Sequence, residues 1–266
     1  MERTGWGQAS IAKGYANGFG YAVEKVAGVL TQAVAVLPGE EVLDLCCGHG
    51  VVSHQLVKIA ANVTGLDFSP AMIDLSRESV PEGRFVEGDA MSMPFDNNSF
   101  DAVTIGFGIP HLPDPEAALD EVARVLRPGG RLALSVWQGK GSGGAFGWLF
   151  DAVGAHGNVD VTLPAGPDAH AYADTRIAFP ALEKAGFVEP DLKHVASQFL
   201  LNAPEDLFDV FAEGAVRAAA LLKAQPHGRG ADIRAAMAKR VRAEGIHGTD
   251  GWLVPMPSVV VSALRP

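Results

Sequence analysis

Leu43–Leu56 reads LDLCCGHGVVSHQL: a short apolar run reaches an acid, then two cysteines and two glycines, and a helical pattern follows. The run EVLDL, Glu41–Leu45, lies between the Pro38-Gly39 turn and the Gly48/Gly50 loop and reads as a strand. Val52, Leu56 and Ile59 then fall four and three residues apart, one face of a helix spanning 51–60. The stretch is a strand, a turn and a helix, with Asp44 beside the turn.

The same alternation continues outward. Asn62–Asp67 is a second strand, and Ser69-Pro70 caps a helix through about Ser79, with Pro at its first position. Arg84–Glu87 is a third strand, ending in Gly88-Asp89, and Phe100–Phe107 a fourth. Asp114-Pro115 opens a helix with Leu119, Val122 and Leu126 on one face, stopped by Pro128-Gly129-Gly130; Arg131–Trp137 is a fifth strand. Strands alternating with helices at this rhythm predict an α/β core, about 38–138, with a mostly parallel sheet covered on both faces. Beyond it come a Gly/Ser stretch at 139–147, a helix near 146–156, a helix at 175–185 and a strand region at 188–201. Two or three amphipathic helices follow across 203–243, broken near Pro226-His227-Gly228, and Trp252–Leu264 closes the chain as a strand. A helical insertion between two closing strands is the natural lid.

Composition narrows the function. The 266 residues are 48% apolar, enough for one large core with a modest lid. A formal charge of −10, from 21 basic and 31 acidic residues without a basic stripe, repels phosphodiester backbones. The expected partner is a small molecule and not a nucleic acid. The two cysteines are adjacent, which excludes a disulfide framework, has the wrong spacing for zinc and fits a reducing, cytoplasmic location. The opening MERTGWGQASIAKGY lacks the apolar segment of a signal peptide, and no run approaches a membrane span.

Ligands in such sheets bind at the carboxyl ends of the strands, and three of these strands end at acids: Asp44, Asp67 and Asp89. A nicotinamide dinucleotide needs G-x-G-x-x-G to bring backbone amides to its pyrophosphate. The turn C-C-G-H-G-V-V lacks that pattern, Asp44 would repel the anion, and no P-loop is present. S-adenosylmethionine has no phosphate and carries two positive centres, so an acid at the first turn suits it. Asp67 could accept from both ribose hydroxyls and Asp89 from the adenine amino group.

The segments VLDLCCGHG, VTGLDFSPAMI, FVEGDAMSMPFDNNSFDAV and EVARVLRPGGRLALSVW, in this order over about 40–138, resemble the class I S-adenosylmethionine-dependent methyltransferases. The likeness is to the small-molecule group that includes the ubiquinone/menaquinone-biosynthesis enzymes. It implies a Rossmann-like sheet of seven strands in order 3-2-1-4-5-7-6, strand 7 antiparallel. ALEKAGFVEPDLKHV resembles the entry to strand 6 and MPSVVVSAL strand 7. The implied division is a helical lid at 1–37, the cofactor core at 38–138, a linker with strand 6 at 139–202, a cap at 203–250 and strand 7 at 251–266. The resemblance puts Asp67 on the ribose and Met72 against the adenine face. Asp89 and Ala90 take the adenine edge, and Asp44 with the Gly48 backbone lies near the methionine portion. Cys46, Phe68, Gly88 and Gly106 complete the cofactor set, and Tyr15, in IAKGYANGFG, resembles a tyrosine that closes over the cofactor's amino-acid end. Cys46 stands where the family usually has Gly, and His49 where Thr is common.

His111, in GFGIPHLPDP after strand 4, is the candidate general base; as a bland alternative it props the turn. His156, His170, His194, His227 and His247 have no motif context. Trp137, Phe146, Trp148 and the faces around Leu207, Phe208, Phe211, Leu221 and Leu222 either line an acceptor pocket or pack a core. The expected activity is methyl transfer to a small, apolar or aromatic acceptor. The alternatives are a cyclase-like enzyme that uses the fold without methylating, and a non-catalytic cofactor-binding module.

Overall fold

The computed structural model describes residues 5–6, 9–59, 61–139, 141–163, 166 and 168–266. Helix α1 (Ala9–Ala33) leads into β1 (Glu41–Leu45), α2 (Val51–Val57), β2 (Asn62–Asp67), α3 (Pro70–Ser79), β3 (Arg84–Glu87) and β4 (Phe100–Gly106). After a 3-10 turn at Ile109–His111 come α4 (Pro115–Val125) and β5 (Leu126–Trp137). The remaining elements are α5 (Ala145–His156), α6 (Thr175–Lys184), β6 (Val188–Val195), β7 (Gln198–Leu201), α7 (Asp206–Gly214), α8 (Val216–Lys223), α9 (Arg229–Glu244), β8 (Ile246–Gly248), β9 (Gly251–Pro255) and β10 (Ser258–Leu264).

The main sheet has seven strands in the order β3-β2-β1-β4-β5-β10-β6. Its first five strands pair in parallel, and β10 pairs antiparallel with β5 and β6. With β10 as the seventh strand of this sheet, the order is the one expected from the sequence. The sheet lies in a unit of residues 23–137, 166–195 and 258–266. Its interior is built from Leu43, Leu45, Val103, Ile105, Leu119, Val122, Leu132 and Val261, each at most 1% exposed.

Local chemistry sets the helix starts. Ser69 accepts a hydrogen bond from the Met72 amide (3.3 Å) with Pro70 at the first helical position, and Asp114 accepts from the Ala117 amide (3.0 Å) ahead of Pro115. The end of α4 differs from expectation: Leu126 is extended and belongs to β5, where it pairs with Phe100. The register then shifts, so that Ala102 pairs with Arg131 and the Pro128-Gly129-Gly130 segment lies inside an irregular strand. Helix α2 is shorter than its apolar spacing predicts and ends at Val57, leaving Ile59 outside it; Ala60 lies outside the described residues.

A second unit, residues 1–22, 138–165 and 196–257, holds α5, α7, α8 and α9 and a three-stranded sheet ordered β7-β9-β8. This small sheet was not expected, because 188–201 and 252–264 each read as one strand. Each is two. Between the halves the Met256 amide donates to the Ser197 carbonyl (2.8 Å) and the Ser197 hydroxyl donates to the Met256 carbonyl (2.5 Å). Pro255 and Pro257, which lack an N–H, flank Met256 and interrupt the ladder there. Phe19, Phe199 and Phe211, at most 1% exposed, pack edge to face at 5.0–6.2 Å in this unit, and Leu207 and Trp148 are buried. Phe211, Leu207 and Trp148 therefore pack a core.

Candidate active site

The site begins with the pairing register of β1. Asp44 lies opposite Gly65 on β2 and Thr104 on β4. Thr104 donates its hydroxyl to one Asp44 oxygen (3.2 Å), and Ser53 of α2 donates to the other (2.6 Å). The carboxylate is 1% exposed, and burial pushes its pKa up to about 6 despite those two hydroxyls. The neighbouring Asp67 adds to the rise.

Asp67 ends β2 and fastens the β1 turn to the β2 turn. Its carboxylate accepts from the Gly48 amide (3.0 Å) and the Ser69 amide (2.9 Å), and its carbonyl accepts from the Gly88 amide (3.0 Å). Burial raises its pKa, while the Ser69 and Gly48 amides and the neighbouring His111 imidazole pull it back. Gly48, Asp67, Ser69 and Gly88 are thus one hydrogen-bonded rim. A Cβ added at Gly48, whose φ is +54°, would meet nothing within 4 Å, so the turn's backbone is open on that side.

The turn's first residue is unusual. Cys46 has φ +57°, a left-handed conformation that glycine adopts without strain. Its side chain fills the space beside Gly108, where an added Cβ would lie 2.4 Å from Cys46 Cβ and 2.8 Å from Sγ. Burial pushes both the Cys46 and Cys47 thiols well above their ordinary range, with nearby carboxylates adding to the effect, so neither is a thiolate at neutral pH. Burial likewise lowers the His49 imidazole.

The third acid, Asp89, is half-buried and accepts from the Met91 amide (2.9 Å) at the start of the loop after β3; Ala90 beside it is buried. Met72, 4% exposed, sits in the first turn of α3, and Phe68 is half-buried between Asp67 and the cap Ser69. Gly106 ends β4 where Val52 of α2 approaches, 3.0 Å from the position of an added Cβ. His111 closes the 3-10 turn after β4, its amide donating to the Gly108 carbonyl (2.9 Å). Among the described residues, no group of three or more His, Cys, Asp or Glu is arranged to hold a metal ion.

Tyr15 belongs to the other unit. Its ring stacks on Phe19 (4.9 Å, 17°) and meets Trp6 edge to face (5.3 Å), and burial raises its phenol pKa.

One residue without a motif meets the carboxyl end of β5. His170 places Nδ1 2.8 Å from the Trp137 carbonyl at the carboxyl end of β5. A carbonyl only accepts, so Nδ1 carries the proton and the neutral ring is the Nδ1–H tautomer. Trp137 stacks on Phe107 at 3.7 Å and 11°, and Phe107, with φ +58°, follows β4. Nothing in the sequence could have flagged His170, because its anchor is a backbone carbonyl 33 residues earlier.

Known proteins resemble the core of this chain in sequence and fold. Residues 43–134 match the family described as Methyltransferase domain. A demethylmenaquinone methyltransferase of Clavibacter sepedonicus is 44% identical over 107 residues, which are 39% of this chain and 44% of that protein. The chain therefore spans less than half the length of that curated relative. Among solved structures, the [4+2]-cyclase SpnF superposes with a TM-score of 0.57 at 19% identity, covering 91% of this chain and 81% of that one. A Haemonchus contortus phosphoethanolamine N-methyltransferase 2, solved with S-adenosyl-L-methionine, superposes with a TM-score of 0.58 at 17% identity, covering 97% of this chain and 57% of that one. At these identities the structures establish the fold. Over residues 43–134 the chain is similar to methyltransferase domains, its sheet has the fold of the solved methyltransferases, and within that stretch it resembles the demethylmenaquinone methyltransferases.

Proposed function

We propose that the chain binds S-adenosylmethionine at the carboxyl ends of β1–β4 and methylates a small, apolar or aromatic acceptor. One observation carries the reading: three carboxylates lie at or beside the carboxyl ends of three adjacent strands, and the middle one, Asp67, is fastened to the open Gly48 turn. The donor set fits this cofactor. Asp67 offers acceptors to two ribose hydroxyls, Asp89 to the adenine amine, and Asp44 an anion near the ammonium and sulfonium. The name of the Clavibacter relative supports a quinone-like acceptor.

When bound, the cofactor supplies an electrophilic methyl group and leaves as a neutral thioether. The chain's part is to hold the nucleoside, align the acceptor and take its proton. We assign the proton to His111, beside Asp67; His170 is the second candidate because its tautomer leaves Nε2 as the basic nitrogen. His111→Ala is expected to lower kcat by about 100-fold, with cofactor affinity changed less than about threefold. The same result in His170→Ala, with His111→Ala unaffected, would move the role to His170. Unchanged kcat in both variants would exclude an imidazole base.

The assay is methyl-labelled cofactor with demethylated quinols, phenols and polyketide-like compounds as acceptors. Methylated product and S-adenosylhomocysteine should form one to one. Consumption of an acceptor without S-adenosylhomocysteine would favour the cyclase-like alternative, and binding without either a non-catalytic module.

Asp44 adds a pH dependence. Between its ordinary 3.8 and its raised value of about 6, the folded protein keeps a proton that the unfolded chain releases. Its contribution to stability is full below pH 3.8 and is lost as pH rises through 6. Cation binding makes the opposite demand, because it needs the carboxylate. Cofactor affinity should therefore be flat above pH 7 and fall toward tenfold per pH unit below 6, with proton release on binding at pH 6. Calorimetry at pH 6 in two buffers of different ionisation enthalpy measures that proton. Its absence, or an unchanged pH dependence in Asp44→Asn, would contradict the assignment.

A further inference from the structure

The loop between β3 and β4, residues 90–99, contains no helix and no strand beyond a single bridge between Asp89 and Ser92. Its shape is set from outside by two residues of α4. Glu121 accepts from the Met93 amide (2.7 Å). Arg124 donates to the Phe95 carbonyl (2.7 Å), the Met93 carbonyl (3.1 Å) and the Asn97 side chain (3.0 Å). The two side chains lock each other through Arg124 Nε to Glu121 Oε1 (2.6 Å) and Nη2 to Oε2 (2.7 Å). The loop then returns to the sheet with the Asn98 amide on the Arg124 carbonyl (3.1 Å) and the Ser99 amide on the Val125 carbonyl (2.8 Å).

An exposed pair at i,i+3 on a helix contributes little to stability. This pair is largely covered, its side chains 19% and 30% exposed, and its hydrogen bonds bind the loop backbone at the Met93 amide, the Met93 carbonyl and the Phe95 carbonyl. At the loop's other end the Met91 amide fixes one Asp89 oxygen and the Ser92 amide bonds the Asp89 carbonyl (3.1 Å). Met93 lies two residues beyond Met91, so the Glu121/Arg124 anchor and the Asp89 contact share one short backbone segment. Arginine suits the task because its planar fork reaches several acceptors at once, which a lysine ammonium does not reproduce.

We propose that Glu121 and Arg124 are positioning residues for recognition of the cofactor's base, holding the loop so that the Asp89 carboxylate meets an exocyclic amine. The proposal rests on the reading of Asp89 as the adenine-edge residue. It predicts that the pair governs discrimination between adenine and a base with oxygen in place of that amine.

The test is calorimetric binding of S-adenosylhomocysteine and S-inosylhomocysteine to the full chain. Wild type should prefer the adenosyl ligand by about 100-fold, since the inosyl oxygen cannot donate to Asp89. Arg124→Gln should weaken the adenosyl ligand about tenfold, leave the inosyl ligand nearly unchanged and so collapse the preference. Arg124→Lys should restore part of it, and serves also if Arg124→Gln does not fold. Asp67→Ala should weaken both ligands alike and keep the ratio. Equal weakening of both ligands in the Arg124 variants, or a lower Tm with an intact ratio, would assign the pair a structural role and overturn the proposal. A wild type without preference, or an Asp89→Asn variant that keeps it, would instead overturn the base-edge reading and the proposal with it.

Discussion

Asp67→Ala is expected to bind S-adenosylhomocysteine at least about 100-fold more weakly than wild type. Two losses add. A carboxylate accepting from two ribose hydroxyls makes charge-assisted bonds, each contributing on the order of 1.5–3 kcal/mol. The same carboxylate holds the Gly48 and Ser69 amides, so its removal also leaves the β1 turn unfastened and two N–H groups without their acceptor. Asp67→Asn should fall between, because one amide oxygen can serve one N–H while the NH2 faces the other. Isothermal calorimetry gives the affinities, and thermal unfolding of the ligand-free variants separates loss of contact from loss of the turn. Affinity within about threefold of wild type in Asp67→Ala would remove the ribose from this acid.

Gly108→Ala is expected to destabilise the protein by about 3 kcal/mol, and Cys46→Gly to rescue it. The backbone at Gly108 (φ −81°) accepts any residue, so the penalty is steric: the new methyl would lie 2.4 Å from Cys46 Cβ and 3.0 Å from Ile105 Cγ2. Cys46→Gly removes the first clash and relieves a left-handed non-glycine residue, a strain of about 1 kcal/mol, but gives up packing and adds unfolded-state entropy. Alone it should be near neutral. A double-mutant cycle should give a coupling of about 2 kcal/mol, and Gly108→Ala alone should lower Tm by roughly 6–10 °C. Independent, additive effects would show that Cys46 does not fill the place beside Gly108.

These two sites also mark how far the sequence could be read. Asp67 was legible because strand, acid and capped helix follow one another within a few residues, and Ser69 and Pro70 announce the helix locally. The partners of Asp44 were not: Thr104 reaches it through the pairing register of β1 and β4, 60 positions along the chain. The exchange of glycine for cysteine at 46 was visible, but its compensation by Gly108 is a contact between two loops. His170 carries no local signal because its anchor is a carbonyl on β5. The hairpin strands that leave one sheet for the other read as single strands, since two prolines and a serine-to-backbone bond mark the change without altering the apolar pattern. Leu126 kept a helical spacing while sheet pairing with Phe100 claimed it.

The most direct measurement is a calorimetric titration of wild-type protein with S-adenosylmethionine, S-adenosylhomocysteine and NAD at pH 7.5. Saturable one-to-one binding of both adenosyl ligands and none of NAD is expected, because Asp44 repels a pyrophosphate and the C-C-G-H-G turn lacks the glycine pattern that would bring amides to it. Binding of NAD, or of neither adenosyl ligand, would contradict the assignment of this site to an adenosyl cofactor.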